Sequence, residues 1–279
     1  MHRWLCRTFL AVILSQLCAC SAYKSELRTA AIRRGTTQTN SLRVMTFNVR
    51  SCSEGIDRVA EAIQEASPDV VALQEVDNGT RRAGGLDQAR ELGRRLGLPY
   101  AVHIPATQMH GGDYGMALLS RVPVVSLDQR PLPVDRGMEP RVVARAVLLV
   151  DGVEVSLYKA HLSPMPQRSE LRREQAAFVA RLMAADERPK ILVGDLNDVA
   201  TSPAVRLLTS RLQDAWAKAG TGDAGTYPLP LLGTFRYDYV LASTEFEVQR
   251  SFVLQGDASD HYPVIADLAL PVEWLATSD

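Results

Sequence analysis

The stretch Lys190-Ile191-Leu192-Val193-Gly194-Asp195-Leu196-Asn197 decides the fold. Three consecutive apolar residues, stopped by a glycine and followed by a carboxylate and an amide, predict a short buried strand over Ile191 to Val193. Upstream, Leu171, Phe178 and Leu182 recur at helical spacing and predict a long helix over Arg168 to Met183 with those three in the core. Before it, Val142 to Val150 and Val153 to Tyr158 flank Asp151-Gly152, a hairpin signal. Downstream, Pro203 to Leu208 predicts a turn or two of helix. Strands follow near Tyr237 to Leu241, Phe246 to Leu254 and Pro263 to Leu268.

The first half of the chain alternates in the same way. Leu42 to Val49 predicts a strand, Ile56, Val59, Ala60 and Ile63 a helix, and Val70 to Val76 a second strand after the Ser67-Pro68-Asp69 break. A helix over Asp87 to Leu96 stops at Gly97, and short strands are expected at Tyr100 to Pro105, Gly115 to Ser120 and Val122 to Leu127. Hairpins and helical crossovers are mixed, so the chain is an α/β protein with two packed mixed sheets covered by helices rather than one parallel sheet.

The 279 residues are 46% hydrophobic and 23% charged, which is enough apolar material for a sizeable core and too little charge bias for disorder. Lys plus Arg is 31 and Asp plus Glu is 32. That balance excludes a protein that clamps nucleic acid mainly by neutralising phosphates, while leaving nucleic acid open as a transient substrate. No protein partner is evident from the sequence.

Residues 1–19 are expected to be a signal peptide: His2, Arg3 and Arg7 precede the apolar run Phe9 to Leu14, which is too short to span a bilayer. Leu17-Cys18-Ala19-Cys20-Ser21 resembles the lipobox of bacterial lipoproteins, in which Cys20 becomes the acylated first residue; Cys18 departs from that pattern, and ordinary signal-peptidase cleavage is the alternative. Either route exports the protein, and the lipidated form would sit on the outer membrane or face the periplasm. Residues 20–40 read as a polar tether, 41–271 as the folded domain and 272–279 as a tail. Cleavage before Cys20 leaves 29 basic and 32 acidic residues, a net charge of −3, and only Cys20 and Cys52 among the cysteines. With Cys20 acylated, Cys52 has no partner, so a disulfide framework is excluded.

The polar residues stand at the strand ends. Asn48 closes the first strand, Glu75 the second, His161 follows the hairpin, Asp195 and Asn197 follow the Ile191 strand, and Asp260-His261 introduce the last. Each alone reads as a cap or turn residue. Together they are the inventory of a phosphoryl site, which needs oxygen ligands for a hard cation, an imidazole and amide donors.

In order along the chain, Thr46-Phe47-Asn48-Val49-Arg50, Leu73-Gln74-Glu75-Val76, Tyr114 to Arg121, Ala160-His161-Leu162, Gly194-Asp195-Leu196-Asn197, Arg236 to Val240 and Ser259-Asp260-His261-Tyr262-Pro263 resemble the blocks of the endonuclease/exonuclease/phosphatase superfamily. The resemblance covers residues 42 to 270. It implies a four-layer sandwich of two mixed β-sheets flanked by helices, with the site at one end, and a Mg²⁺-dependent phosphoesterase in which Mn²⁺ can substitute. It implies Glu75, Asn48 and Asp260 as metal residues, Asp195 to orient or deprotonate the attacking water, and Asn197 to donate to a non-bridging oxygen from the same side of an extended segment. His261 would lie by the phosphorus with Asp238 holding its ring, and His161 would stabilise the transition state or protonate the leaving oxygen. Either His261 or Asp195 can be written as general base. Tyr114 and Arg141 are candidate substrate contacts, or else packing and surface-pair residues.

Arg50 stands where the apurinic/apyrimidinic endonuclease branch has an Asp, which argues against that branch and offers a cation for substrate phosphate. A domain of about 230 residues leaves little room for the long insertions of the sphingomyelinase and inositol-phosphatase branches. The substrate is then nucleic acid or a membrane phospholipid or phosphoglycan; the non-enzymatic alternative is a surface lipoprotein that uses the same cleft only for binding. His103 and His110 are expected to flank a surface loop at Gly111-Gly112, and Arg172 and Arg173 to be solvated helix charges.

Overall fold

Period-two alternation sorts the strand side chains into three apolar layers. In the computed structural model, which describes residues 41–165 and 167–271, the strands are β1 (Ser41–Asn48), β2 (Val70–Asn78), β3 (Tyr100–Met109), β4 (Gly112–Ser120), β5 (Val124–Pro131), β6 (Val142–Val150), β7 (Val153–Ala160) and β8 (Lys190–Asp195). The second part adds β9 (Gln213–Asp214), β10 (Gly220–Thr221), β11 (Tyr227–Leu229), β12 (Gly233–Phe235), β13 (Asp238–Ala242), β14 (Glu247–Val253) and β15 (Val264–Ala269). Helices α1 (Ile56–Ala66), α2 (Gln88–Leu96), α3 (Ser169–Ala184), α4 (Pro203–Thr209) and α5 (Ala215–Ala219) lie between them. The expected signal peptide, Cys20, the tether and the tail lie outside the described residues.

One sheet has seven strands in the order β10-β14-β15-β1-β2-β4-β3, the other six in the order β5-β6-β7-β8-β13-β9, and β11-β12 form a separate ribbon. Both large sheets mix parallel and antiparallel pairs: β2 runs parallel and β15 antiparallel to β1, while β7 runs parallel and β13 antiparallel to β8. Val44 and Ala72 of one sheet meet Leu157, Ile191, Val193 and Val240 of the other in the central layer. Met45, Phe47, Val71 and Leu73 point the other way, onto Val59 and Ile63 of α1 and Leu92 of α2. Tyr158, Leu192 and Tyr239 face Ala176, Val179 and Met183 of α3 and Val205 and Leu208 of α4. This is the four-layer α/β sandwich.

The helices begin and end for local reasons. Asp87 caps α2 by accepting from the Arg90 N–H, and Gly97 closes it in the left-handed conformation that glycine adopts without a Cβ clash. Ser202 caps α4 from Val205 N, with Pro203 in the first turn, where a missing N–H costs nothing. In α3, Leu171 is core as expected, while Phe178 and Leu182 are only partly buried against it.

Three expectations are corrected here. Glu75 does not end β2, which continues to Asn78; it sits in a bulge within it. His103 lies inside β3 rather than beside a loop, its Nε2 3.1 Å from the Val76 carbonyl, while His110 occupies the exposed β3–β4 turn. Arg172 is 3% exposed, not solvated, because its guanidinium donates to Asp198 Oδ2 (2.8 Å) and to the carbonyls of Met165 (2.6 Å) and Ser163 (3.2 Å). Arg173 does face solvent, paired with Glu170.

Gly194, at φ +145°, lets β8 pass β7 so closely that a Cβ would lie 1.8 Å from the Ala160 carbonyl oxygen. Gly194→Ala is therefore expected to lower the thermal midpoint by several degrees or abolish soluble expression, as an overpacked backbone contact costs about 1–3 kcal/mol. An unchanged melting curve would contradict this packing. Burial, reinforced by Asp77, pushes the Cys52 thiol up to about 12. Because the reactive thiolate appears only as pH rises towards that value, Cys52 is expected to resist iodoacetamide at pH 8 in the folded chain and to react in denaturant, read by peptide mapping.

Candidate active site

The site is assembled where the C-terminal ends of β1, β7 and β8 meet the start of β13. Asn48, Asp195 and Asp238 share the parity of Val44, Val193 and Val240, so all three point between the sheets. Glu75 does not share the parity of its inward neighbours. A regular β2 would turn it towards the helices with Leu73, but the ladder with β4 slips between Gln74 and Val76, and Glu75 takes φ 57°. The extra residue re-aims its carboxylate towards Asn48.

Asn48 Nδ2 donates to Glu75 Oε1 (3.0 Å) and to Asp195 Oδ2 (3.1 Å), joining carboxylates from the two sheets. Its amide oxygen accepts from Arg50 N (3.1 Å). Asp195 Oδ2 also lies 3.5 Å from His161 Nε2 and 3.8 Å from His261 Nε2, and Oδ1 accepts from Asn197 N (2.8 Å). Asp238, fully buried, holds His261 Nδ1 at 2.8 Å through one oxygen; its other oxygen has no hydrogen-bond partner.

The two imidazoles are held in opposite states. Arg141 Nη1 lies 2.6 Å from His161 Nδ1, and because a guanidinium only donates, that nitrogen must accept and the ring proton sits on Nε2. Burial holds His161 well below the usual imidazole range, reinforced by the charges of Arg141, His261 and Lys159. Burial also works against protonation of His261, but Asp238 and Asp195 outweigh it and raise that ring to about 10. Desolvation first, and Asp238 second, push Asp195 up to about 7, against the opposing pull of His261 and the Asn197 and Asn48 donors.

Asn48, Glu75, His161, Asp195, Asp238, His261 and Arg141 thus form one continuous network. The remaining expected residues stand at its margin. Asn197 is not on an extended segment: it turns left-handed at φ 50°, and its side-chain amide donates to the Leu162 carbonyl (3.1 Å), holding the segment after His161. Asp260 sits beside His261, yet its carboxylate faces Arg50 Nε at 3.4 Å and the Ser259 hydroxyl. Tyr114 is buried in β4 under the Arg82 guanidinium, 5.3 Å from its centroid, and burial raises its phenol far above the ordinary range.

Several supports were not singled out from the sequence. Thr226 Oγ1 accepts from the N–H groups of Tyr237 and Asp238, and its carbonyl accepts from Tyr262 N, so one buried threonine fixes the approaches to Asp238 and His261. The Tyr227 ring lies 4.6 Å from that of His261. Lys159, buried between the sheets, donates to the carbonyls of Leu73 and Ala117 and is held well below its usual range by burial. Its place in the alternation of β7, in phase with Leu157, was the available signal.

A cation fits this donor set. Asp195, Asp238 and His261 each bring one polar atom within 4.8 Å of the others, and with His261 held as imidazolium the two carboxylates, including the orphaned Asp238 oxygen, are the donors a cation would meet. Glu75 adds a third carboxylate on the far side of Asn48. Ligation by the Asn48 amide oxygen requires its amide plane to turn over, since its nitrogen faces both carboxylates.

The Endonuclease/Exonuclease/phosphatase family matches the sequence over residues 45–261. A structure of that description from Beutenbergia cavernae DSM 12333 is 28% identical, covers 82% of this chain and 72% of its own, and has a TM-score of 0.68. The mannosyl-6-phosphatase of Bacteroides thetaiotaomicron VPI-5482 is 21% identical over 82% of this chain and 100% of its own, with a TM-score of 0.68. The catalytic domain of human Nocturnin, solved with bound sulfate, is 19% identical over 83% and 94%, with a TM-score of 0.67. No curated protein sequence matches.

In metal-stripped protein at pH 7, ¹⁵N NMR of the imidazoles is expected to show His161 neutral with its proton on Nε2, and His261 as imidazolium. Because the His261 value is raised, that charge should persist until pH approaches about 10. Two rings titrating together near pH 6.5 would contradict the Arg141 and Asp238 assignments.

Proposed function

Because the chain belongs to the endonuclease/exonuclease/phosphatase family, we propose that it is a metal-dependent phosphoesterase that cleaves the P–O bond of a phosphodiester or phosphomonoester by in-line attack of water. The observation that carries this reading is the single network from Glu75 through Asn48 and Asp195 to the His261–Asp238 pair, with His161 fixed opposite by Arg141. Glu75, with Asn48 and Asp195 beside it, would hold Mg²⁺ or Mn²⁺, with Asp260 as an outer carboxylate. The bound cation would neutralise charge on the phosphoryl oxygens.

The chain's own residues supply the rest. Asp195, raised towards neutrality, is matched to orient a water and take its proton. His261, charged and held by Asp238, supports negative charge on the phosphoryl group, much as a carboxylate fixes an imidazole in hydrolytic triads. Neutral His161 keeps its Nε2–H as a donor to a phosphoryl or leaving oxygen, and Arg141 prevents the other tautomer. Asn197 acts through the loop it holds, and Arg50 waits at the mouth as a cation for phosphate.

The substrate is a nucleic acid or a membrane phospholipid or phosphoglycan, and the near-neutral charge favours the second over tight nucleic-acid binding. Export and anchoring through an acylated Cys20 belong to the same proposal. A cleft kept only for binding has no need of so many desolvated polar groups, which are costly to bury.

With bis-p-nitrophenyl phosphate and p-nitrophenyl phosphate as probes, turnover is expected with Mg²⁺ or Mn²⁺ and not with chelator. Glu75→Gln and Asp195→Asn are expected to cut kcat by about 10² or more with unchanged circular dichroism. Full activity of either variant at limiting metal would refute these roles.

A further inference from the structure

Among the described residues, the large apolar side chains left exposed are Leu86, Val134, Met165, Leu231 and Leu232. All five lie on loops at the active-site end of the sandwich. Leu86 is on the segment after β2, and Val134 on the β5–β6 loop that delivers Arg141. Met165 is on the loop after His161, and Leu231 and Leu232 form the tip of the β11–β12 ribbon whose Tyr227 packs on His261. The turns at the opposite end carry no exposed large apolar residue among those described.

The ribbon tip is the most marked case. Leu231 is 105% and Leu232 71% exposed, and Leu231 holds φ +67°, a left-handed conformation that costs a branched residue about 1–2 kcal/mol. Nothing within the fold rewards either the exposure or the strain, and such a combination marks a contact surface. The supporting loops are built, not slack. Gln175 accepts from Ser163 N and donates to the Pro133 carbonyl, Arg168 pairs with Asp135 at 2.8 Å, and Arg172 holds the Met165 carbonyl. Arg81 and Arg136, on two of the same loops, make no ion pair among the described residues.

We propose that this rim docks onto a lipid surface and that the site takes its phosphate ester from the headgroups there. The inference rests on the phosphoesterase reading and names its substrate class. The apolar residues surround the mouth on four separate loops, so whatever covers them covers the entrance. A folded partner there would close the site, whereas a bilayer face would bring phosphates to it. Two unpaired arginines among apolar tips suit an anionic interface. The chain before β1 permits the orientation: β1 runs from the far end towards the site, and residues 21–40 can extend about 66–72 Å, well beyond the roughly 27 Å of an eight-residue strand.

The test uses the full chain with Leu232→Trp, and separately with Thr244→Trp at the far end, each read against the parent's own tryptophans. The vesicles are mixed phosphatidylcholine and phosphatidylglycerol with brominated acyl chains. Emission from the residue-232 probe is expected to shift blue and be quenched, and that from residue 244 is not. Equal quenching of both, or of neither, overturns the docking face, as does rim-dependent dimerisation without quenching. The double variant L231S/L232S is expected to lower the vesicle-bound fraction and turnover of vesicle phospholipid by about tenfold, leaving turnover of soluble bis-p-nitrophenyl phosphate unchanged. Hydrolysis of the soluble ester with no quenching at 232 would sink the docking proposal alone. Quenching without turnover of any phosphate ester would sink the phosphoesterase reading and leave the docking face standing.

Discussion

One side-chain amide carries the centre of this molecule. Asn48 donates from one nitrogen to Glu75 of its own sheet and to Asp195 of the opposite sheet, so two carboxylates that would repel are kept within reach of the same point. Both sheets must stop at the same level for this to work. The alternation that buries Val44 and Val193 in the central layer also delivers Asn48 and Asp195 to its open edge. The core and the chemistry share one periodicity, and a register slip in β1 or in β8 would turn that strand's polar group towards the helices.

Around that amide the electrostatics are divided rather than uniform. Two buried carboxylates, Asp195 and Asp238, face each other across paired strands and draw a proton onto His261. Burial first, with the Arg141 guanidinium next, denies a charge to His161. The two imidazoles have the same intrinsic basicity and end in opposite charge states, set by whether a carboxylate or a guanidinium meets Nδ1. Such separation of acid and base character within a few ångströms is a recurrent property of hydrolytic sites.

The strand and helix succession was legible in the sequence because it is a matter of period. The hairpin at Asp151-Gly152, the helix stop at Gly97 and the short strand before Asp195 each have a local cause. Site residues at strand ends were legible for the same reason. What escaped was whatever depends on partners distant in the chain. Arg172 looks like any helix arginine until three oxygen acceptors from loops close over it. Glu75 looks like a strand terminus because a bulge leaves no trace in the pattern of apolar residues. Asn197 looked extended because it is two residues from Asp195, and only the left-handed turn redirects it. Lys159 and Thr226 bond to main-chain groups, which every residue has, so no spacing announces them.

The pairing of β1 with β15 has a consequence for how the chain is made. Ser41 lies opposite Ala269 and Thr46 opposite Val264, so the strand that carries Asn48 is flanked on one side by the last strand of the sandwich to be made. The seven-stranded sheet cannot close before β15 is available. Until β15 has emerged from the ribosome, β1 keeps an open hydrogen-bonding edge on that side. A topology that joins the domain's first strand to its last thereby postpones assembly of the network around Asn48 until the whole domain is available.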